Sequence, residues 1–179
     1  MKQTDVLILG GLSGITAGMS CRKFYPDKKV TLIRKEDTVL IPCGIPYIFG
    51  TVGAPKNNVI PDGLLEKNGI ELIRNEVVSV DRSEKTVTLK DGEVITYEKL
   101  IFATGSVPAV APIPGIDKKM VFTVRKDFNY LEGMLEELKS VKDLVIIGGG
   151  FIGVEFADEC RKDHEMNITL IQALPHCLQ

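Results

Sequence analysis

One cysteine, Cys43, stands in the segment Ile41-Pro42-Cys43-Gly44-Ile45-Pro46-Tyr47, a turn bounded by proline and glycine. A thiol in such a turn is a candidate reactant, whereas a free cysteine inside a helical or strand pattern is a small hydrophobe of the core. Two glycine-rich turns flank it, Gly10-Gly11-Leu12-Ser13-Gly14 and Gly148-Gly149-Gly150-Phe151-Ile152-Gly153, each directly after a short apolar run. Turns of this kind bring backbone N–H groups and a helix N-terminus up to a pyrophosphate. Together the three features point to two nucleotides serving one sulfur.

The second glycine turn has the full spacing, with Gly148 for the tight turn, Gly150 for close approach of the phosphate and Gly153 for helix-on-strand packing. The first is irregular. Either Leu9 takes the first place and Gly11 and Gly14 the others, or Gly10 is first and the loop is one residue short. At the end of the following strand, where a carboxylate usually accepts hydrogen bonds from a ribose, this chain has Arg34, with Glu36 two residues on. The matching place in the second unit is Gln172, and because no Arg follows it and Gly153 is not Ala, NADH is favoured over NADPH.

These residues need an α/β frame. Val6–Gly10 reads as a buried parallel strand, residues 13–25 as a helix ended by Pro26-Asp27, and residues 30–33 as the next strand, one β-α-β unit. Residues 42–53 read as a structured turn or a short helix beginning just after Cys43, and a further helix is expected over 63–68. The pattern then becomes β over 70–102, in separate pieces that include 94–97 and a run from Leu100, with Asp91-Gly92 as a hairpin turn. Prolines 108, 112 and 114 make 107–115 a linker. A helix over 128–139 precedes a second β-α-β made of 143–147, 151–163 and 167–171. The expected division is residues 1–110 and 111–179.

Composition excludes several classes. The 22 Lys and Arg against 24 Asp and Glu provide no basic field for nucleic acid or an anionic membrane. No apolar stretch approaches the ~20 residues of a membrane helix, so a cytoplasmic setting is expected. Cys21, Cys43, Cys160 and Cys177 show no ligand spacing for a metal, and none is expected. His164 and His176 read as surface residues.

With Cys43-Gly-Ile-Pro-Tyr47, Ala103-Thr104-Gly105-Ser-Val-Pro108 and Gly148-Gly-Gly-Phe-Ile-Gly-Val-Glu155 in view, the chain resembles the FAD-dependent pyridine nucleotide–disulfide oxidoreductases. The likeness is to the single-cysteine branch, with coenzyme A-disulfide reductases and NADH oxidases. It implies a Rossmann-like FAD-binding unit with an antiparallel β-meander, followed by the start of a second Rossmann-like unit for NAD(P)H. It assigns Gly10, Gly11, Ser13, Gly14, Arg34, Lys35, Glu36, Pro42, Val77, Ala103, Thr104 and Gly105 to the FAD side. Gly148, Gly150, Phe151, Ile152, Gly153 and Glu155 fall to the nicotinamide cofactor, with Phe151 as an aromatic gate and Glu155 at the carboxamide. The first turn of that helix would also favour a carboxylate at 155 through its dipole.

The resemblance implies hydride transfer from NAD(P)H to FAD and electron transfer on to Cys43, with a small-molecule disulfide, a persulfide or oxygen as acceptor. Two-cysteine members carry their second cysteine five residues after the first, where this chain has Ile48. Peroxidase and water-forming oxidase members carry a histidine at Leu12, which favours a sulfur acceptor here. Members of the family continue well past residue 179 and form homodimers at full length. The chain is therefore expected to be a fragment, weak in FAD binding and inactive alone. A non-catalytic nucleotide-binding module is the rival reading, and a rubredoxin or ferredoxin reductase-like flavoprotein a third.

Overall fold

The computed structural model describes residues 2–162 and 165–178. The chain forms two compact units that are not consecutive in sequence: residues 1–39 with 60–106, and residues 40–59 with 107–179. The cysteine segment thus folds with the second glycine turn.

In the first unit, β1 (Lys2–Gly10), α1 (Leu12–Phe24) and β2 (Val30–Arg34) form the expected β-α-β. Two short strands, β3 (Val39–Leu40) and β4 (Val59–Ile60), mark where the chain leaves and re-enters this unit. Then come α2 (Gly63–Lys67), β5 (Ile70–Arg74), β6 (Val77–Asp81), β7 (Thr86–Leu89) and β8 (Val94–Ala103). The six-stranded sheet has the order β5-β2-β1-β8-β7-β6, parallel from β5 to β8 and antiparallel from β8 to β6.

β1 has no polar alternation over Leu7-Ile8-Leu9 because both faces are covered. Ile8 and Leu32 pack with Ile15 of α1, while Leu7, Leu9 and Ile33 pack with Val87, Leu89 and Ile95 of the meander. Leu7, Ile8 and Leu32 are fully buried, each a contribution of about 1.5–3 kcal/mol. The two pieces expected near 94 and 100 are one strand. Glu98-Lys99 reads as a polar break, yet β1 pairs with residues 95 to 103 in register and holds that stretch extended.

The second unit contains the cysteine segment, α3 (Phe128–Leu138), β9 (Asp143–Ile147), α4 (Phe151–Lys162) and β10 (Asn167–Ile171). Asp127 caps α3 by accepting a hydrogen bond from the Tyr130 N–H at 2.7 Å. β9 and β10 pair in parallel. Leu144, Ile146 and Ile168 turn toward a core of Leu131, Met134, Leu138, Phe156 and Cys160. Val145, Ile147 and Ile171 on the same two strands are more than half exposed. Residues 107–115 carry no helix or strand, as their prolines require.

The structured turn around Cys43 consists of short 3-10 pieces and not of an α-helix. Residues Pro42–Gly44 and Pro46–Phe49 are successive 3-10 turns, closed by Gly44 N–H to Ile41 C=O, Ile45 N–H to Pro42 C=O and Ile48 N–H to Ile45 C=O. Pro42 and Pro46 each open one of these pieces, a first-turn position where the missing N–H costs nothing and the fixed φ is already suitable.

Candidate active site

The first glycine turn is shaped by contacts on its own backbone. Gly10 has φ +136°, and a Cβ there would overlap the Ala103 carbonyl at the end of β8. Gly14 is the packing glycine, since a Cβ on it would stand 3.0 Å from Ile8 and 3.5 Å from the Ala103 methyl. Gly11, where a Cβ would only touch Val39 at 3.8 Å, stands at the N-cap of α1 with no side-chain cap, and the first turn holds no acid. The N–H groups there face no competing carboxylate, the condition a bound phosphate needs. Ser13 is exposed in that turn.

Beside this turn lies a cleft of about 450 Å³, lined by Gly10, Arg34, Lys35, Glu36, Val77 and Thr104 among others. Arg34 is not turned toward solvent. Its guanidinium is fully buried, with Nε donating to Glu36 C=O at 2.8 Å and Nη2 to Asp37 C=O at 3.0 Å and to the Asp62 carboxylate at 2.6 and 2.8 Å. Asp62 also pairs with Arg74, and Nη1 of Arg34 has no partner. Arg34 therefore shapes the cleft by holding the backbone of residues 36 and 37. Glu76 lines the same cleft, and the Lys90 ammonium, then Lys35, hold its carboxyl below the usual range. Thr104 and Gly105 are exposed where β8 ends, with Gly105 at φ +74°.

In the second unit Cys43 is exposed, and Pro42 beside it is exposed as well. Gly44 fits because it has no Cβ: one would overlap Oδ1 of Asn58. Asn58 is 4% exposed, donates from Nδ2 to Ile41 C=O at 2.9 Å and accepts the Ile41 N–H at its own carbonyl at 3.0 Å. The cysteine turn is thus fixed from behind by a residue that the sequence alone gave no reason to select.

The second glycine turn has the form its spacing predicts. Gly148 has φ +114°, and Gly148 and Gly150 have no atom within 4 Å of a built Cβ. A Cβ on Gly153 would overlap the Gly148 carbonyl. Gln172 is engaged with the turn, its Oε1 accepting the Gly149 N–H at 3.0 Å. Phe151 is 73% exposed and Ile152 is exposed, while Glu155 is half-buried. α4 begins at Phe151, so Glu155 is its fifth residue and lies beyond the first turn. First-turn electrostatics therefore do not account for it.

Another carboxylate on α4 matters more to the fold. Glu159 is 1% exposed; its Oε2 accepts the Thr51 N–H at 2.7 Å and its Oε1 accepts from Lys162 Nζ at 2.8 Å. Burial by itself would raise this carboxyl, but Lys162 and Thr51 outweigh it and hold the group below its usual value. Burial, and secondarily the Glu159 charge, pushes the neighbouring Cys160 thiol up to about 11. The sequence signal was available: Glu159 lies three residues from Phe156 on the apolar face of α4.

Cys160 is buried, Cys21 half-buried and Cys177 exposed. His176 is exposed, and His164 lies outside the described residues. Among the described residues no cluster of three metal-ligating side chains occurs, and no helix is long and apolar enough to cross a membrane.

Both glycine turns stand between a strand and a helix, and in the second Gly148 and Gly150 have no neighbour within 4 Å of a built Cβ. The sequence profile described as "Pyridine nucleotide-disulphide oxidoreductase" matches residues 4–179, and the chain belongs to that family. It is 36% identical over 166 residues to the NAD(P)H sulfur oxidoreductase (CoA-dependent) of Pyrococcus abyssi, covering 88% of this chain and 37% of that protein. It is 34% identical to the NAD(P)H coenzyme A polysulfide/persulfide reductase of Pyrococcus horikoshii, covering 96% of this chain and 40% of the relative. Among solved structures, the NAD-dependent persulfide reductase from A. fulgidus superposes with a TM-score of 0.82 at 28% identity, over 93% of this chain and 33% of that one. The chain thus spans about two fifths of the length of these curated relatives.

Proposed function

We propose that the protein is an FAD-dependent NAD(P)H oxidoreductase in which Cys43 is the redox centre and a small-molecule disulfide or persulfide is the acceptor. FAD is held at residues 10–14, the cleft of Arg34, Lys35, Glu36 and Val77, and the Ala103-Thr104-Gly105 end of β8. Pro42 contributes beside the sulfur. NAD(P)H, with NADH preferred, is held by Gly148, Gly150 and Gly153, with Phe151 and Ile152 over the nicotinamide and Glu155 at its carboxamide. The FAD domain corresponds to the expected 1–110 and the NAD(P)H domain to 111–179, with 40–59 folded against the latter. A cytoplasmic setting, which keeps the four cysteines as thiols, and a homodimeric full-length enzyme complete the reading.

The observation that carries it is an exposed thiol in a turn fixed by Asn58, in the same compact unit as a glycine turn whose Gly148 and Gly150 are unobstructed. FAD, when bound, supplies the two-electron carrier between the nicotinamide and sulfur. The chain's part is to orient the nucleotides and hold the sulfur where an acceptor can reach it. The Cys43 thiolate attacks one sulfur of a disulfide R–S–S–R, the S–S bond breaks, R–S⁻ leaves, and Cys43–S–S–R remains. Two electrons and a proton then return Cys43 as thiolate and release R–SH. Ile48 is fully buried and provides no second thiol, so an internal disulfide is not formed there. Leu12 packs with the α1 core and has no group to move a proton, which favours sulfur over peroxide chemistry.

Incubating the 179-residue chain with coenzyme A disulfide and mapping adducts by mass spectrometry tests this. A mixed disulfide on Cys43, absent in Cys43→Ser, is expected, with FAD at saturating concentration protecting 10–14 and NADH protecting 148–153 from hydrogen exchange. Failure of Cys43 to form the adduct, together with no protection of either turn, refutes the reading.

A further inference from the structure

The cysteine segment is held to α4 by three consecutive residues within the second unit. The Phe49 and Phe156 rings lie 4.9 Å apart. Gly50 passes so close to the helix that a Cβ there would overlap the Glu159 carbonyl and stand 2.6 Å from its Oε2. The third contact is the Glu159 carboxylate itself, which accepts the Thr51 N–H while Lys162 neutralises its other oxygen. A buried carboxylate is costly, and a hydrogen bond to an ionised group is one of the stronger kinds, so this contact is specific in a way that apolar packing is not.

The same helix carries the glycine turn at its other end. Glu159 lies eight residues beyond Phe151, roughly 12 Å along the helix axis. One stiff element therefore has the nucleotide cradle at its N-terminus and the anchor of the cysteine segment near its C-terminus. From this juxtaposition we propose that Glu159 is a positioning residue. It ties the segment containing Cys43 to α4, so that nucleotide bound at the N-terminus of α4 orders the chain on the far side of the sulfur. The coupling works by ordering: a ligand that stiffens α4 reduces the local opening of whatever is fastened to it. It rests on the reading of 148–153 as the NAD(P)H turn.

Amide hydrogen exchange on the 179-residue chain, with and without saturating NADH, provides the test. In the wild type NADH is expected to slow exchange at 148–153 and also at 47–52. Glu159→Gln keeps the shape of the side chain but removes its charge, and loss of a charge-assisted bond should speed Thr51 exchange roughly tenfold. In that variant NADH should still protect 148–153 but no longer protect 47–52. Lys162→Met is a second perturbation that removes the counter-charge of Glu159 together with the 3.4 Å bond from Lys162 Nζ to Thr51 Oγ1, and it should weaken the response at 47–52 in the same direction. A purely structural Glu159 would alter basal exchange and leave the NADH response intact, which would overturn the proposal. Protection at 148–153 without any at 47–52 in the wild type overturns it while the nucleotide reading stands. No protection at 148–153 overturns both.

Discussion

Asp62→Ala is the sharpest test of how the first cleft is built. Arg34 has no exposed side-chain surface, and its guanidinium is held by Asp62 and by the carbonyls of Glu36 and Asp37. Nη1 already lacks a partner, so the site has no spare acceptor. Removing one member of a buried ion pair costs about 3–5 kcal/mol because the other charge stays buried. Asp62 is a quarter exposed and the two carbonyls remain, which lowers the expected loss to about 2–4 kcal/mol. Arg34→Met should behave differently. It removes the buried charge itself and leaves Asp62 with Arg74 and solvent, so about 1 kcal/mol is expected. With two compact units a single global unfolding midpoint is ill-defined, so native-state hydrogen exchange at the buried β2 amides of residues 31–33 is the suitable measurement. Asp62→Ala should raise their opening roughly 30- to 1000-fold, and Arg34→Met by roughly fivefold. Equal effects of the two substitutions, or less than a fivefold change in Asp62→Ala, would refute the idea that Arg34 is a buried charge dependent on Asp62.

Gly153→Ala should displace the Gly148 carbonyl, destabilise the second turn by about 1–3 kcal/mol and abolish NADH protection of 148–153 in hydrogen exchange. Folding lowers the Glu159 carboxyl, so the folded state holds its proton less tightly than the unfolded chain does. Its stabilisation is therefore complete above the ordinary value of 4.5 and is lost as pH falls through the lowered value, with Lys162 and Asp158 the charged neighbours. Exchange at Thr51, corrected for the intrinsic pH dependence, should show less protection in that acid range, and Glu159→Gln should remove the change. Iodoacetamide at pH 8 should modify exposed Cys43 and Cys177 first and leave Cys160, whose thiol is pushed up to about 11, unmodified until the second unit unfolds.

Local rules were enough for much of this molecule. The run Leu7-Ile8-Leu9 read as a doubly covered parallel strand, the spacing of Gly148, Gly150 and Gly153 read as a tight turn between a strand and a helix, and Asp91-Gly92 read as the hairpin between β7 and β8. Each depends on backbone geometry or side-chain period over a few residues, and that information is contiguous in the chain. The structured turn expected around Cys43 is present as two short 3-10 helices, each opened by a proline, which is again local information.

What the sequence determined by itself was therefore the presence of two β-α-β units, the glycine turns that open them and a solitary cysteine between prolines. Only the tertiary structure decided which unit receives residues 40–59, that Arg34 turns inward to Asp62, and that Asn58 and Glu159 hold the cysteine segment. Those outcomes depend on pairs such as Thr51 with Glu159, 108 residues apart, and Arg34 with Asp62, 28 apart. A buried charge acquires its role from the partner that packing brings to it, and no periodicity in the chain encodes that partner.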